Sequence, residues 1–181
     1  AGKPVNDAVV YVETAALKVG KSKQTVAIDQ VNKEFTPLVT VVQTGTTVRF
    51  PNKDNIRHHI YSFSSGNAFD RPLYSGSEAK PVVFDKAGVV VLGCNIHDWM
   101  LAYALVVDTP YFGKSDSHGQ VKIDELPAGD YEVKVWHPYQ SGEAAAQKIK
   151  LAGDMHLAFQ LKLTPPPQAP RTPLDRKGGR Y

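Results

Sequence analysis

The chain has 181 residues, 42% of them hydrophobic, which is enough for one large domain or two small ones with ordinary cores. Its formal net charge is only +3. Four of the 21 basic residues and one of the 18 acidic residues lie in 164–181, so the rest of the chain is formally neutral. A neutral body argues against nucleic-acid binding, which needs a clustered basic face. The longest apolar runs, 89–92 and 101–107, are far shorter than the roughly 20 residues that cross a bilayer, so we expect no transmembrane segment.

Short segments rich in β-branched and aromatic residues, separated by turn residues, recur along the first part of the chain. The polar segments 14–24 and 64–80 are expected to be an exposed connector and a long surface loop. No segment shows the apolar period of an amphipathic helix, and only 142–147 could hold a helical turn. The sequence therefore predicts an all-β fold. The predicted strands are 9–12, 26–28, 38–42, 48–50, 58–63, 82–84, 89–93 and 101–107.

A second set of strand and turn patterns follows residue 108. Residues 115–123 predict a turn and a short strand, and 126–129 predict another turn. Residues 130–136 predict a strand with one buried face, because Tyr131, Val133 and Val135 alternate with charged residues. Alternating apolar residues also predict the closing strands, at Ile149, Leu151, Leu157, Phe159, Leu161 and Leu163.

The end of the chain is rich in proline. Residues 164–181 include Pro165, Pro166, Pro167, Pro170 and Pro173. Such a segment cannot join a sheet, and we expect it to be extended as polyproline II. Because termini are ordinarily loose unless tied down, we expect this basic tail to be disordered; a segment that docks to a partner is the alternative.

One short stretch, 93–100, collects unusual side chains. Cys94 is the only cysteine, and Met100 is one of two methionines. With His97 they form the spacing C-x2-H-x2-M, whose thiolate, imidazole and thioether can turn toward one point in a tight loop. Those are three of the ligand types of a trigonal copper site with a weak axial Met, so the motif predicts copper. The alternative for each residue alone is a structural role, as a buried Cys, a hydrogen-bonded His or a packed Met.

Such a site needs a second histidine, and the pair His58-His59 is the candidate. If 58–63 form a strand, His58 shares a face with Ile60, and His59 lies on the opposite face. Ile60 is expected to point into the core. We therefore expect His58 to be the ligand, with His59 as the alternative.

By the strand that begins at His58 and the loop with Cys94, His97 and Met100, residues 26–108 resemble a cupredoxin, the small blue-copper β-sandwich. The loop is most similar to that of the amicyanins. In that family an early strand begins with the first His ligand, commonly as His-Asn-Val. The resemblance implies a Greek-key sandwich with one type 1 copper held by His58, Cys94 and His97 in the plane and Met100 axial. It also implies that the backbone N–H of His59 binds the Cys sulfur. This chain departs from the family pattern in having His59 for Asn, and Asn-Ile for the Thr-Pro or Ser-Pro between Cys and His.

Two further stretches resemble the transthyretin-like, or carboxypeptidase-regulatory-like, β-sandwich. They are Gly-Lys-Pro-Val-Asn-Asp-Ala-Val-Val at 2–10 and Leu-Pro-Ala-Gly-Asp-Tyr at 126–131. The implied organisation is a cupredoxin inserted after the first strand of this second, smaller sandwich. The expected parts are 1–13 for that strand, 25–108 for the cupredoxin, 109–163 for the remaining sandwich and 164–181 for the tail.

The cupredoxin resemblance implies a soluble one-electron carrier rather than an enzyme, because filled coordination leaves no place for a substrate. Implied partners are redox proteins such as a c-type cytochrome or a copper or quinone dehydrogenase, and the basic tail could help to dock them. The implied location is the periplasm. A start at Ala1 is typical of a processed secreted protein, although a chain cut there would begin the same way.

Other interpretations stay open at this point. One is a copper storage or delivery module with an exchangeable site. Another is a red-copper centre, in which a water or carboxylate, such as that of Asp98, replaces Met. In the family the loop His presents its ring edge at an apolar surface, a place that His97 would take. Trp99 beside it is either part of a docking surface or a lid on the loop.

Overall fold

The computed structural model describes residues 2–14, 20–76 and 78–165. These residues form strands and no helix, so the all-β prediction is confirmed for the described part of the chain. The strands are β1 (Val9–Glu13), β2 (Thr25–Ala27), β3 (Asp29–Val31), β4 (Glu34–Thr36), β5 (Val39–Gln43), β6 (Thr46–Pro51), β7 (His58–Ser62), β8 (Phe69–Tyr74), β9 (Glu78–Phe84), β10 (Gly88–Gly93), β11 (Leu101–Val107), β12 (Phe112–Lys114), β13 (Gly129–Trp136) and β14 (Ala145–Leu151). No helix in this part of the chain is long and apolar enough to cross a membrane.

The described residues fall into two compact units. The first unit comprises 2–14, 20–21 and 107–165, and the second comprises 22–76 and 78–106. The predicted domain boundaries and the transthyretin-like assignment of the first unit stay predictions. So does the predicted state of the tail, because residues 166–181 lie outside the described residues, as do 15–19 of the predicted connector.

The second unit is built from two sheets that share one core. One sheet has the order β5-β11-β10-β7-β8, and the other has the order β2-β6-β9. Side chains of both sheets bury themselves between the layers, as expected of a β-sandwich. The core includes Ile60 of β7, Val90 and Leu92 of β10, Val48 and Phe50 of β6, and Phe84 of β9. A separate hairpin, β3 with β4, contributes Phe35 to the same core.

Three neighbouring strands bring the sequence motifs to one end of this sandwich. β10 pairs antiparallel with β11 from Gly88–Val106 to Gly93–Leu101, so residues 94–100 form the loop between two adjacent strands. β10 also pairs antiparallel with β7 through Gly93 and Tyr61. Because antiparallel strands reverse direction, the start of β7 lies at the same end as this loop.

The first unit contains a four-stranded sheet with the order β12-β1-β13-β14. The predicted alternation in β13 is confirmed: Tyr131, Val133 and Val135 are buried, while the residues between them are partly exposed. Tyr131 and Val133 pack with Val12 of β1. This unit therefore has an apolar core of its own.

Four predictions about individual segments were wrong. Residues 64–80 are not one loop, because 69–74 form β8. This strand lies at a sheet edge and carries Pro72. Edge strands tolerate polar residues and proline, so β8 lacks the apolar alternation by which a strand is predicted. Residues 142–147 form no helical turn, since β14 begins at Ala145 and pairs with β13. Of the predicted closing strands, 157–163 form only an isolated bridge, between Leu163 and Gln140. Likewise, the short strand expected in 115–123 is absent, and β12 precedes it.

Candidate metal centre

The chemistry-bearing residues of the loop 94–100 and of β7 converge inside the second unit. Cys94 directly follows β10, and His58 is the first residue of β7. The ligand atoms of His58, Cys94 and His97 all lie within 4.8 Å of one another. Cys94 Sγ lies 4.0 Å from His97 Nδ1, and the two imidazole ring centroids are 5.0 Å apart. Such spacing would place one ion within reach of all three side chains.

The cluster is shut off from solvent. His58 is fully buried, and Cys94 and His97 are each 3% exposed. Met100, which is 2% exposed, belongs to the same core as Cys94. Its backbone N–H donates to the carbonyl of His97 at 2.9 Å, which closes the tight turn expected of this loop. The sequence C-x2-H-x2-M is thus folded so that all its functional side chains are buried together.

His58 has one nitrogen in use and one available. Its Nε2 lies 2.7 Å from Asp54 Oδ2, so Nε2 carries the proton and donates to the carboxylate. Its Nδ1 is buried and makes no hydrogen bond within the described part of the chain. A buried polar atom left without a hydrogen bond costs about 1–3 kcal/mol, and binding of an ion at Nδ1 would offset that cost.

The local electrostatics shift the pKa values of Cys94 and His58. Burial alone would raise the pKa of the Cys94 thiol, but the His58 side chain and nearby backbone N–H groups outweigh burial and lower it. Those N–H groups belong to Ile96, His59 and His97. Burial likewise opposes the charged form of His58, yet contact with Cys94 and Asp54 raises its pKa. A deprotonated sulfur is the form that binds metal.

The neighbouring His59 has a different environment. It points to the opposite face of β7 and is partly exposed, whereas His58 and Ile60 are buried, so the expected alternation is present. Asn95 Nδ2 donates to its Nδ1 at 3.1 Å, and its Nε2 contacts Asp70. Both ring nitrogens of His59 are therefore engaged by other side chains, and His59 is not part of the buried cluster.

Two loop residues whose roles the sequence left open now have defined places. Asp98 is exposed and does not belong to the cluster. Trp99 packs against the core, and its Nε1–H donates to the carbonyl of Lys33 at 3.0 Å. Trp99 is therefore half-buried and anchored by its indole N–H, and its role as a lid or as part of a docking surface stays a prediction.

Sequence reasoning missed the contacts around the cluster. Asp54 was not singled out, although it lies four residues before His58 and an acidic residue near a histidine ligand is a recognisable signal. The partner of Trp99 had no sequence signal, because the acceptor is a backbone carbonyl 66 residues away in the chain.

No family model matches the sequence, and no curated protein matches it. Among solved structures, a copper-containing nitrite reductase from Thermus scotoductus SA-01 is 25% identical over 54% of this chain, with a TM-score of 0.45, and only 25% of the reductase chain is covered. A reduced mutant of amicyanin is 19% identical, with 54% of this chain and 97% of amicyanin covered and a TM-score of 0.43. A purple cupredoxin from Nitrosopumilus maritimus is 24% identical, with 46% and 99% covered and a TM-score of 0.40. With these TM-scores the similarities decide neither fold nor function, and both are argued from the residues themselves.

Proposed function

We propose that this chain is a type 1 copper protein of the cupredoxin kind and that it carries single electrons. The observation that carries the proposal is the buried convergence of His58, Cys94 and His97, with Met100 at the end of the same loop. Thiolate and thioether sulfur select soft metals, and imidazole suits copper. Within the described residues this is the only such cluster of His, Cys and acidic side chains.

The donor set fits copper on two further observations. His58 Nδ1 is a buried atom without a hydrogen-bond partner in the described residues, and the pKa of Cys94 is lowered. His58, Cys94 and His97 would hold the ion, with Met100 as a further, weaker ligand. Bound copper would supply a Cu(I)/Cu(II) couple that accepts and releases one electron.

The surroundings favour a carrier over an enzyme. Core side chains enclose the cluster, and Met100 is buried in the same core as Cys94. No carboxylate of the described residues joins the cluster, and Asp98 is exposed. A rigid, closed site changes its geometry little with oxidation state, which makes electron exchange fast. Burial also opposes the rapid metal exchange that a storage or delivery module needs.

The proposed setting follows from this role. We place the protein in the periplasm, between redox partners such as a c-type cytochrome and a copper or quinone dehydrogenase. The support for this setting is the cupredoxin resemblance of the C-x2-H-x2-M loop and of the strand that begins at His58. Measuring electron transfer to and from purified proteins of these two classes would test it.

The visible spectrum tests the proposal directly. Metal-free protein is titrated with Cu(II), and absorption and electron paramagnetic resonance spectra are recorded. An intense blue thiolate-to-copper band that saturates at one equivalent is expected. A red centre would indicate an open site, and binding of Cu(I) alone without a coloured Cu(II) form would indicate storage or delivery.

A pair of methionine variants sharpens this test. Met100→Leu is expected to keep the blue band but to shift the reduction potential, because the axial ligand tunes it. Met155→Leu is the matched control, since Met155 is 44% exposed in the first unit. Equal potentials in the two variants would exclude Met100 as a ligand.

A further inference from the structure

The turn between β3 and β4 has an unusual backbone. Its two residues, Asn32 and Lys33, have φ values of +54° and +58°, as in the tight hairpin turns whose central residues both lie in the left-handed region. Lysine seldom takes that conformation. The turn is also held by contacts outside the hairpin, and they lead to the proposed metal centre.

The first path runs through Asp54. The backbone N–H of Asn32 donates to Asp54 Oδ1 at 2.7 Å, and that of Lys33 donates to Oδ2 at 2.9 Å. The same Oδ2 accepts the Nε2–H of His58 at 2.7 Å. One carboxylate, with its side chain 13% exposed, thus joins the turn to the first proposed ligand. This bond fixes the imidazole so that its other nitrogen, Nδ1, faces the cluster.

The second path runs through Trp99. The carbonyl of Lys33 accepts the indole Nε1–H of Trp99 at 3.0 Å. The indole ring also lies against His97, with ring centroids 5.2 Å apart. The carbonyl of the turn therefore holds the 94–100 loop through Trp99. The two N–H groups of the turn hold His58 through Asp54.

We propose that the Asn32-Lys33 turn is a positioning element for the metal centre, which fixes His58 through Asp54 and the 94–100 loop through Trp99. This inference rests on the proposed function. Asp54 and Trp99 are positioning residues rather than ligands. Because both ligand-bearing segments are tied to one turn, they keep their spacing in the metal-free protein and during a change of oxidation state. The site is then preorganised, and copper binding does not have to order it.

Two substitutions each disrupt one of these two hydrogen-bonded connections. Asp54→Asn keeps the shape of the side chain but removes the charge that strengthens its hydrogen bonds. Asp29→Asn is the matched control, because Asp29 lies in the same hairpin and pairs instead with Lys53 Nζ at 2.5 Å. Trp99→Phe removes the indole donor and keeps a ring. Its control is Trp136→Phe in β13 of the first unit.

The metal-free protein gives the first readout. In nuclear magnetic resonance spectra of protein labelled at histidine nitrogen, the Nε2–H of His58 is expected to be visible and slow to exchange. Asp54→Asn is expected to abolish that protection, whereas Asp29→Asn and Trp99→Phe retain it. Circular dichroism of each variant checks that the sandwich is folded.

The copper-loaded protein gives the second readout. Loss of an outer hydrogen bond to a ligand is expected to weaken copper binding about 10- to 100-fold in Asp54→Asn. The reduction potential is expected to rise in the same variant, since a negative charge near the ion stabilises Cu(II). Trp99→Phe is expected to weaken binding less and to broaden the copper spectrum, because the loop loses its anchor.

Three results would overturn the inference. Equal shifts of potential in Asp54→Asn and Asp29→Asn would show a general charge effect. A lower melting temperature with unchanged spectrum, potential and His58 signal would show a merely structural role. Wild-type copper affinity, potential and spectrum in both path variants would remove the inference alone. Wild-type protein that binds no copper would instead remove the proposed function on which the inference rests.

Discussion

Two buried polar side chains, one in each unit, have opposite environments. In the first unit, Ser115 Oγ accepts the N–H of Ala8 at 2.9 Å and donates to the carbonyl of Val5 at 2.8 Å. In the second unit, His58 Nδ1 is buried without a hydrogen-bond partner in the described residues and faces a cysteine and another histidine. Because burying a polar group costs free energy unless the group is paired, the first pattern is structural and the second supports the proposed metal site.

A buried histidine in each unit shows the same contrast. Burial lowers the pKa of His137 in the first unit, and it outweighs the opposing contacts with Asn6 and Asp7. The pKa of His58 is raised in spite of burial, because Cys94 and Asp54 lie beside it. The pKa of a buried imidazole is thus shifted in opposite directions in the two units. Burial alone does not identify a site; convergence with a second functional group does.

The largest expected effect comes from Cys94→Ser. It removes the thiolate and nearly preserves shape, so the blue band should vanish and copper affinity should fall by more than the roughly 10- to 100-fold that loss of an outer hydrogen bond costs. Absorption and copper titration check this result. Circular dichroism should show a folded sandwich, and a full blue spectrum in this variant would refute the assignment of the site.

Substitution of each of the two adjacent histidines tests which face of β7 carries the metal ligand. His58→Ala should destroy the blue site, whereas His59→Ala should leave it, with a shifted potential, because His59 binds Asn95 rather than the cluster. Visible spectra of the two variants provide the measurement. The reverse result would mean that the strand register is displaced by one residue, which exchanges its faces.

Much of the site was predictable because its signals are local. The C-x2-H-x2-M spacing, the strand before it and the alternation at residues 58–62 lie within short segments and follow from backbone periodicity. The ligand roles of His58, Cys94, His97 and Met100 stay predictions. Strands of mixed polarity were harder to predict from the sequence. β8 and the start of β14 are strands because they pair with β7 and β13, and such pairing is not visible in a local pattern. The contacts of the Asn32-Lys33 turn with Asp54 and Trp99 could not be predicted, because they depend on the tertiary fold.

A substitution in the first unit should change stability without changing the copper site. Ser115→Ala leaves the buried N–H of Ala8 without its hydroxyl partner, which should lower the free energy of unfolding by about 1–3 kcal/mol. Denaturant unfolding and the copper spectrum, measured on the same preparation, test both parts. A changed spectrum would contradict the distinction drawn between structural and site-forming polar groups.

The smallest expected effect is that of deleting residues 166–181. This segment carries the whole formal excess of positive charge, with four basic residues and one acidic residue, and it lacks the apolar pattern needed to join a core. Copper binding and melting temperature should therefore stay unchanged. Electron transfer to an acidic redox partner should slow at low salt only, because ions screen such charges beyond about 10 Å at 0.1 M.

A full-length control separates the charge of this segment from its length. In that variant Arg171, Arg176, Lys177 and Arg180 become Gln, and its transfer rate should match that of the truncated chain. A rate unaffected by truncation and by salt would remove the docking role of the segment. A melting temperature lowered by several degrees on truncation alone would show instead that the segment packs against the body. The contrast between a neutral folded body and a charged end that docks to a partner would then fail.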